Sequence, residues 1–201
     1  CALPILDDEF LLGVALFYDQ HNLFRGDGAR EDNESLNTLL EELLDCNNLE
    51  KFSFLQGNAN PGRILVDVAS KMSLLNYTAY AINPDLMVVL QLRILLLQTI
   101  QQDMELGGVI QPKNIVENQL FDRILTMPLW RPSSKAMEYF PERTSLSKLD
   151  VPESKVADGE WHEILFNLSL LDRNGKMVTL ITNSTLANNL SVKTRQALVE
   201  N

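Results

Sequence analysis

Cysteine and histidine are nearly absent: two of each occur in 201 residues. Cys1 and Cys46 are too few for a disulfide framework. His21 and His162 belong to neither a His-Glu-x-x-His nor a Cys-x-x-Cys constellation, so no metal site is expected. Positive charge is scarce as well, with 17 Lys and Arg against 27 Asp and Glu and a net charge of −10. Nucleic-acid affinity comes largely from basic side chains that displace counterions from phosphates, which excludes nucleic acid as the expected partner. Long apolar runs are also missing, since the best, 86–97, is short and interrupted by Gln91 and Arg93, so no transmembrane segment is expected.

The motifs of common catalytic sites are missing too. There is no Gly-x-Ser-x-Gly elbow, no phosphate-cradling Gly-rich loop followed by Lys-Ser/Thr, and no dinucleotide fingerprint. No cofactor is therefore expected and no residue is assigned a catalytic role. Asp19 and His21 stand two apart and share no helix face, so they make no general-base pair. Cys46 follows Asp45 at the end of a candidate helix, where a carboxylate and the helix's negative end disfavour a thiolate nucleophile.

Leucine is what the sequence has in plenty, 36 of them. Leu36, Leu39, Leu40, Leu43 and Leu44 recur at the spacing of one helix face, with Glu41, Glu42 and Asp45 on the other side. Residues 10–18 read as an earlier helix after the acids Asp7, Asp8 and Glu9, with a buried strand as the alternative. Gly57-Asn-Ala-Asn-Pro-Gly62 is a loop by composition, and Asn60-Pro61 starts a helix that carries Leu65, Val68, Ala69, Met72 and Leu75 inward and ends near Ile82. Residues 86–106 form a central helix, apolar almost all round, stopped by Gly107-Gly108. Pro112 opens another, lined by Val116, Leu120, Ile124 and Met127 and ended by Pro128.

Beyond Pro128 the pattern changes. Residues 129–159 hold Pro132, Pro141 and Pro152 and read as a connection. From Ile164 the apolar period is two, residues 177–182 supply a partner strand, and Asn174-Gly175 offers a tight turn between them, so a β-hairpin is expected. Residues 191–201 begin a terminal helix. The stretch Asp158-Gly-Glu-Trp-His-Glu-Ile164 resembles the start of a strand in laminin-G-like sandwiches, over seven residues only.

The expected fold is mainly α with a C-terminal β-hairpin: an antiparallel helical bundle or stacked helical hairpins, then a small β element. The expected organisation is a helical body over 1–128 with an acidic quarter at 1–50, a Pro-containing connection at 129–159, and at 160–201 the hairpin with the terminal helix, packed on the body.

Three classes of function follow. The leading one is a non-catalytic helical protein-interaction module, a scaffold, adaptor or subunit, with a protein partner of basic character. Its candidate binding residues are Glu31, Asp32, Glu34, Glu41 and Glu42, with Trp130 and Tyr139 near the connection. The second is an envelope lipoprotein lipidated at Cys1, its only link to a membrane, or a secreted glycoprotein with sequons at Asn33, Asn76, Asn167, Asn183 and Asn189. Arg25-Gly26-Asp27 would serve adhesion only outside the cell. The third is a hydrolase or transferase whose acids come from distant segments. The compartment follows the class: cytoplasmic for an internal fragment, envelope or extracellular for a processed Cys1.

The net charge has an address. Residues 1–50 hold twelve acids against Arg25 and Arg30 alone, and the rest of the chain balances. If that quarter docks a basic partner, charge reversal at Glu31, Asp32 and Glu34 weakens capture in low salt; a merely solvated face leaves capture unchanged.

Overall fold

The computed structural model describes residues 34–46, 51–57, 63–71, 74–80, 84–100, 105–111, 119–128, 159–187, 192 and 195–196. In chain order the elements are α1 (Glu34–Leu44), β1 (Phe52–Gly57), α2 (Arg63–Lys71), β2 (Leu74–Tyr80), α3 (Pro84–Ile100), β3 (Glu105–Gln111), β4 (Phe121–Thr126), α4 (Gly159–Ser169), β5 (Leu171–Thr179) and α5 (Asn183–Ala187). The five strands make one sheet in the order β3-β2-β1-β4-β5. Every pair in it is parallel.

Parallel neighbours need crossover connections, and right-handed crossovers place helices on the two faces according to the direction in which the sheet is built. From β1 the chain steps outward to β2 and β3, then returns to the other side of β1 for β4 and β5. Strand residues alternate between the faces. Phe52 and Phe54 of β1, Tyr77 and Ala79 of β2 and Leu125 of β4 pack with Leu40 and Leu44 of α1, Ile64, Leu65 and Val68 of α2, and Leu90, Ile94 and Leu97 of α3. Phe52 and Phe54 meet edge to face, ring centroids 6.4 Å apart. The alternate residues, including Gly57, Tyr80 and Thr126, face α4 instead.

The helical bundle with a C-terminal hairpin is thus corrected to a parallel α/β sheet with flanking helices. A strand buried on both faces loses its polar alternation and reads as a continuous apolar run, which periodicity cannot separate from a buried helix. The single helix expected up to Ile82 is α2 followed by β2. The central helix ends at Ile100, and Gly107-Gly108, read as its stop, lie inside β3. Leu120, Ile124 and Met127, placed on a helix face, belong to β4 and its flanks, while Val116 lies outside the described residues. The α3 helix buries Val89, Leu90, Ile94 and Leu97 but leaves Val88, Leu92 and Leu95 about half exposed, so it is not packed on all sides.

The hairpin reading fails at its first strand and at its turn, while its second run, 177–182, is strand as far as Thr179. Residues 159–169, which include the laminin-like stretch from Gly159 on, are the helix α4, in which every residue from Trp161 to Asn167 is buried. Asn174-Gly175 makes a local bulge instead of a reversal. Phe121 pairs with Leu171 and Arg123 with Lys176, so two steps of β4 are matched by five of β5. The Asn174 amide donates to Asp172 Oδ1 at 3.2 Å, and a Cβ on Gly175 would lie 2.9 Å from the Phe121 carbonyl oxygen. The turn chemistry is real, but the chain resumes its direction beside β4.

At the amino ends of β1 and β4, Asp122 Oδ2 accepts from the Ser53 amide and hydroxyl, each at 2.8 Å, and the Asp122 amide donates to Ser53 Oγ at 3.1 Å. Burial pushes the Asp122 carboxyl up. The Ser53 hydrogen bonds, with help from Arg123, outweigh it and hold the group below its ordinary value. A depressed carboxyl stabilises the fold above its unfolded pKa and loses that contribution as pH falls through its folded pKa. Ser53→Ala is expected to cost about 1 kcal/mol near neutral pH. Urea melts across a pH series check it: the gap to wild type should shrink toward acid, not toward base.

Candidate functional site

In open α/β sheets ligands bind outside the carboxyl ends of the strands, where the strand order reverses. Here the reversal lies between β1 and β4, and the residues at that edge are Gly57, Tyr80 and Thr126, the last of β1, β2 and β4. Gly57 and Thr126 are register partners. Helix α4 adds Glu163 and Asn167, four residues apart and so on one helix face.

These side chains converge. The Tyr80 hydroxyl donates to Glu163 Oε1 at 3.0 Å, and the Thr126 hydroxyl donates to the same oxygen at 3.1 Å. Asn167 Nδ2 donates to Tyr80 Oη and to Thr126 Oγ1, both at 3.0 Å. All four residues are buried. Burial first, and then the neighbouring Glu163 charge, push the Tyr80 hydroxyl well above its ordinary value, so it stays protonated and donates.

Gly57 is required by this arrangement. A Cβ there would stand 2.6 Å from Tyr80 Oη, 2.9 Å from Thr126 Oγ1 and 3.0 Å from Asn167 Nδ2. One residue earlier, Gln56 Oε1 is buried and finds no hydrogen-bond donor. Lower on α4's side of the edge, Glu160 accepts from the Thr185 hydroxyl of α5, and Thr182 caps that turn by accepting from the Thr185 amide at 3.3 Å.

The sequence-derived candidates do not gather at this edge. Glu41, on α1, pairs with Lys71 of α2, and Glu42 is exposed nearby. Glu34 is the first residue of α1. Asp45 pairs with Lys176 at 3.5 Å. Cys1, Arg25-Gly26-Asp27, His21, Glu31, Asp32, Asn33, Trp130, Tyr139 and Asn189 lie outside the described residues. Asn76 and Asn183 are exposed, on β2 and α5. Asn167 is fully buried and both its amide hydrogens are engaged, so no glycan fits there in the folded chain. His162 is buried on α4, a helix and not the strand expected for it. Burial, chiefly, raises the Cys46 thiol to about 11, with Glu41 and Asp45 adding to the rise against Arg123 and Lys176, so it is no nucleophile. Among the described residues no group of Cys, His, Asp and Glu could hold a metal ion, and no helix is long and apolar enough to cross a membrane.

Sequence reasoning missed Gly57, Tyr80, Thr126, Glu163 and Asn167 as a site. The usable signal was the alternation of Phe52 and Phe54 with Ser53 in a run ending in Gly57-(x)4-Gly62, which marks a strand running into a loop and helix.

No family model matches the chain, and no curated protein matches it. Solved structures do. A protein described as a class I S-adenosylmethionine-dependent methyltransferase from Listeria monocytogenes superposes with a TM-score of 0.66 at 11% identity, over 100% of this chain and 62% of that one. The methyltransferase subunit of a type I restriction-modification system from Streptococcus thermophilus superposes with a TM-score of 0.70 at 16% identity, over 98% of this chain and 45% of that one. This chain therefore spans less than two thirds of either. The likeness corrects the expectation of a non-catalytic helical scaffold, adaptor or subunit. That reading rested on the missing catalytic motifs and on leucine-rich apolar helices, several of which are strands, and of the three classes the transferase is the one nearest to these structures.

Gly57→Ala is expected to destabilise by about 1–3 kcal/mol through overpacking. Adding Tyr80→Phe, which removes the nearest atom, should recover part of the loss, so the two substitutions will be non-additive in denaturant melts. The chain has the α/β fold of these methyltransferases.

Proposed function

We propose that this chain is the S-adenosylmethionine-binding part of a methyltransferase. The observation that carries the reading is the switch point of a 3-2-1-4-5 parallel sheet with an obligatory glycine at the end of β1, in the fold of two proteins described as methyltransferases. S-adenosylmethionine, when bound, supplies a methyl group on a sulfonium for transfer to a nucleophilic acceptor.

The residues present support such a ligand. The strand order reverses beside the carboxyl end of β1, where open α/β sheets take their ligands, and α2 follows β1 in sequence after the stretch 57–62. Gln56 Oε1 is a buried acceptor in want of a donor, and an ammonium, a ribose hydroxyl or an adenine amino group is a donor of the kind it lacks. The end of β2 differs from the common nucleotide-binding pattern: the strand ends on Tyr80, and the first acid after it is Asp85. Ribose hydroxyls are then met without a carboxylate at the β2 end.

Thermal unfolding with and without S-adenosylmethionine tests the reading. Ligand at a hundred times its Kd should stabilise the chain by about 2.7 kcal/mol. S-adenosylhomocysteine should do the same and ATP should not. No shift with either adenosyl compound, or an equal shift with ATP, sinks the proposal.

A further inference from the structure

The hydrogen bonds at the carboxyl edge form a closed ring whose direction is fixed. An amide nitrogen only donates and a carboxylate oxygen only accepts. Asn167 Nδ2 gives one hydrogen to Tyr80 Oη and the other to Thr126 Oγ1. Each hydroxyl then gives its own hydrogen to Glu163 Oε1. The ring ties the ends of β2 and β4, the strands on either side of β1, to one face of α4, and it passes over Gly57 where a side chain would stand. Glu163 and Asn167 are 1% and 0% exposed, so neither reaches a ligand.

We propose that Glu163 and Asn167 are positioning residues of the switch-point crevice, holding the ends of β1, β2 and β4 at the spacing that receives the ligand. The proposal rests on the methyltransferase reading for the identity of that ligand, and not for the ring. Buried polar networks are costly when broken in part, because each orphaned group keeps its full desolvation penalty. Loss of either α4 residue therefore loosens the strand ends locally. The ring needs an acceptor at this place more than a charge: a glutamine carbonyl oxygen also accepts from both hydroxyls, through weaker, neutral hydrogen bonds.

The experiment uses the whole chain with Glu163→Ala, Glu163→Gln and Asn167→Asp. S-adenosylmethionine binding is read by calorimetry, and hydrogen exchange is read by mass spectrometry on peptides carrying Gly57, Tyr80 and Thr126. Glu163→Ala and Asn167→Asp should weaken binding by about tenfold or more and speed exchange at those three strand ends. The amino ends at Phe52 and Phe121 should keep wild-type exchange. Glu163→Gln should restore binding to within about threefold of wild type, about half of the 1.4 kcal/mol that a tenfold change represents. Binding by Glu163→Ala and Asn167→Asp that stays within threefold of wild type overturns the proposal, as does Glu163→Gln binding no better than Glu163→Ala. If Glu163→Ala does not fold, Tyr80→Phe takes its place: it removes one donor of the ring and should weaken binding in the same direction, while unchanged binding counts against the ring. If wild type takes up no S-adenosylmethionine, the methyltransferase reading fails and exchange alone decides: local loosening at the three strand ends supports the ring, and none, or loosening throughout the sheet, refutes it.

Discussion

Tyr80 reaches across the end of β1 to α4, and its hydroxyl occupies the volume that any side chain at position 57 would need. The last residue of β1 is glycine for that reason. The consequences spread from there. The phenol brings the end of β2 to Glu163, Thr126 brings the end of β4 to the same oxygen, and Asn167 closes the ring. Because β1 is the strand from which the chain builds in both directions, a tie across its carboxyl end joins the two halves of the sheet where the order reverses. At the opposite end, Ser53 and Asp122 make the corresponding tie between β1 and β4. The two differ in kind: one is half-exposed and local to a strand pair, the other buried and shared by three strands and a helix.

The same edge separates what this chain resembles from what it does in its own way. Its fold is that of two solved methyltransferase structures at identities of 11% and 16%, too distant for residue roles to carry over. The carboxyl edge is instead described from its own atoms: an unpartnered, buried Gln56 oxygen, an aromatic hydroxyl where β2 ends, and a carboxylate held by hydroxyls out of reach of solvent. The acidic surface, which the sequence places mainly in residues 1–50, has no part in this edge among the described residues.

Much of the local character could be read from residue patterns, and the architecture could not. The leucine stripe of α1 is a helix at Glu34–Leu44, although Leu39 and Leu43 face outward while Leu40 and Leu44 enter the core. The Asn60-Pro61 start does precede a helix, and Asn83-Pro84 precedes another. Strands β2 and β4 were hidden for one physical reason. A parallel strand covered on both faces has no polar face to reveal its period of two. Conversely α4, buried nearly all round, showed apolar residues at alternate positions and passed for a strand. The five residues of the candidate site carried no local signature, because a tyrosine, a threonine, a glutamate, an asparagine and a glycine become a ring only when 110 residues of chain bring them together.

From its sequence alone the protein is a leucine-rich chain with an acidic first quarter, a Cys46 whose thiolate is disfavoured, a helix start at Asn60-Pro61 and turn chemistry at Asn174-Gly175. These are properties of composition and short-range stereochemistry, which neighbours in sequence decide. Whether Asn174-Gly175 would reverse the chain or only bulge it, whether Gly107-Gly108 would stop a helix or sit in a strand, and whether Asn167 would face solvent or close a ring were decided by the sheet. Hydrogen-bond partners for a strand and burial on its two faces come from residues far away in sequence, and those partners exist only once the fold is complete.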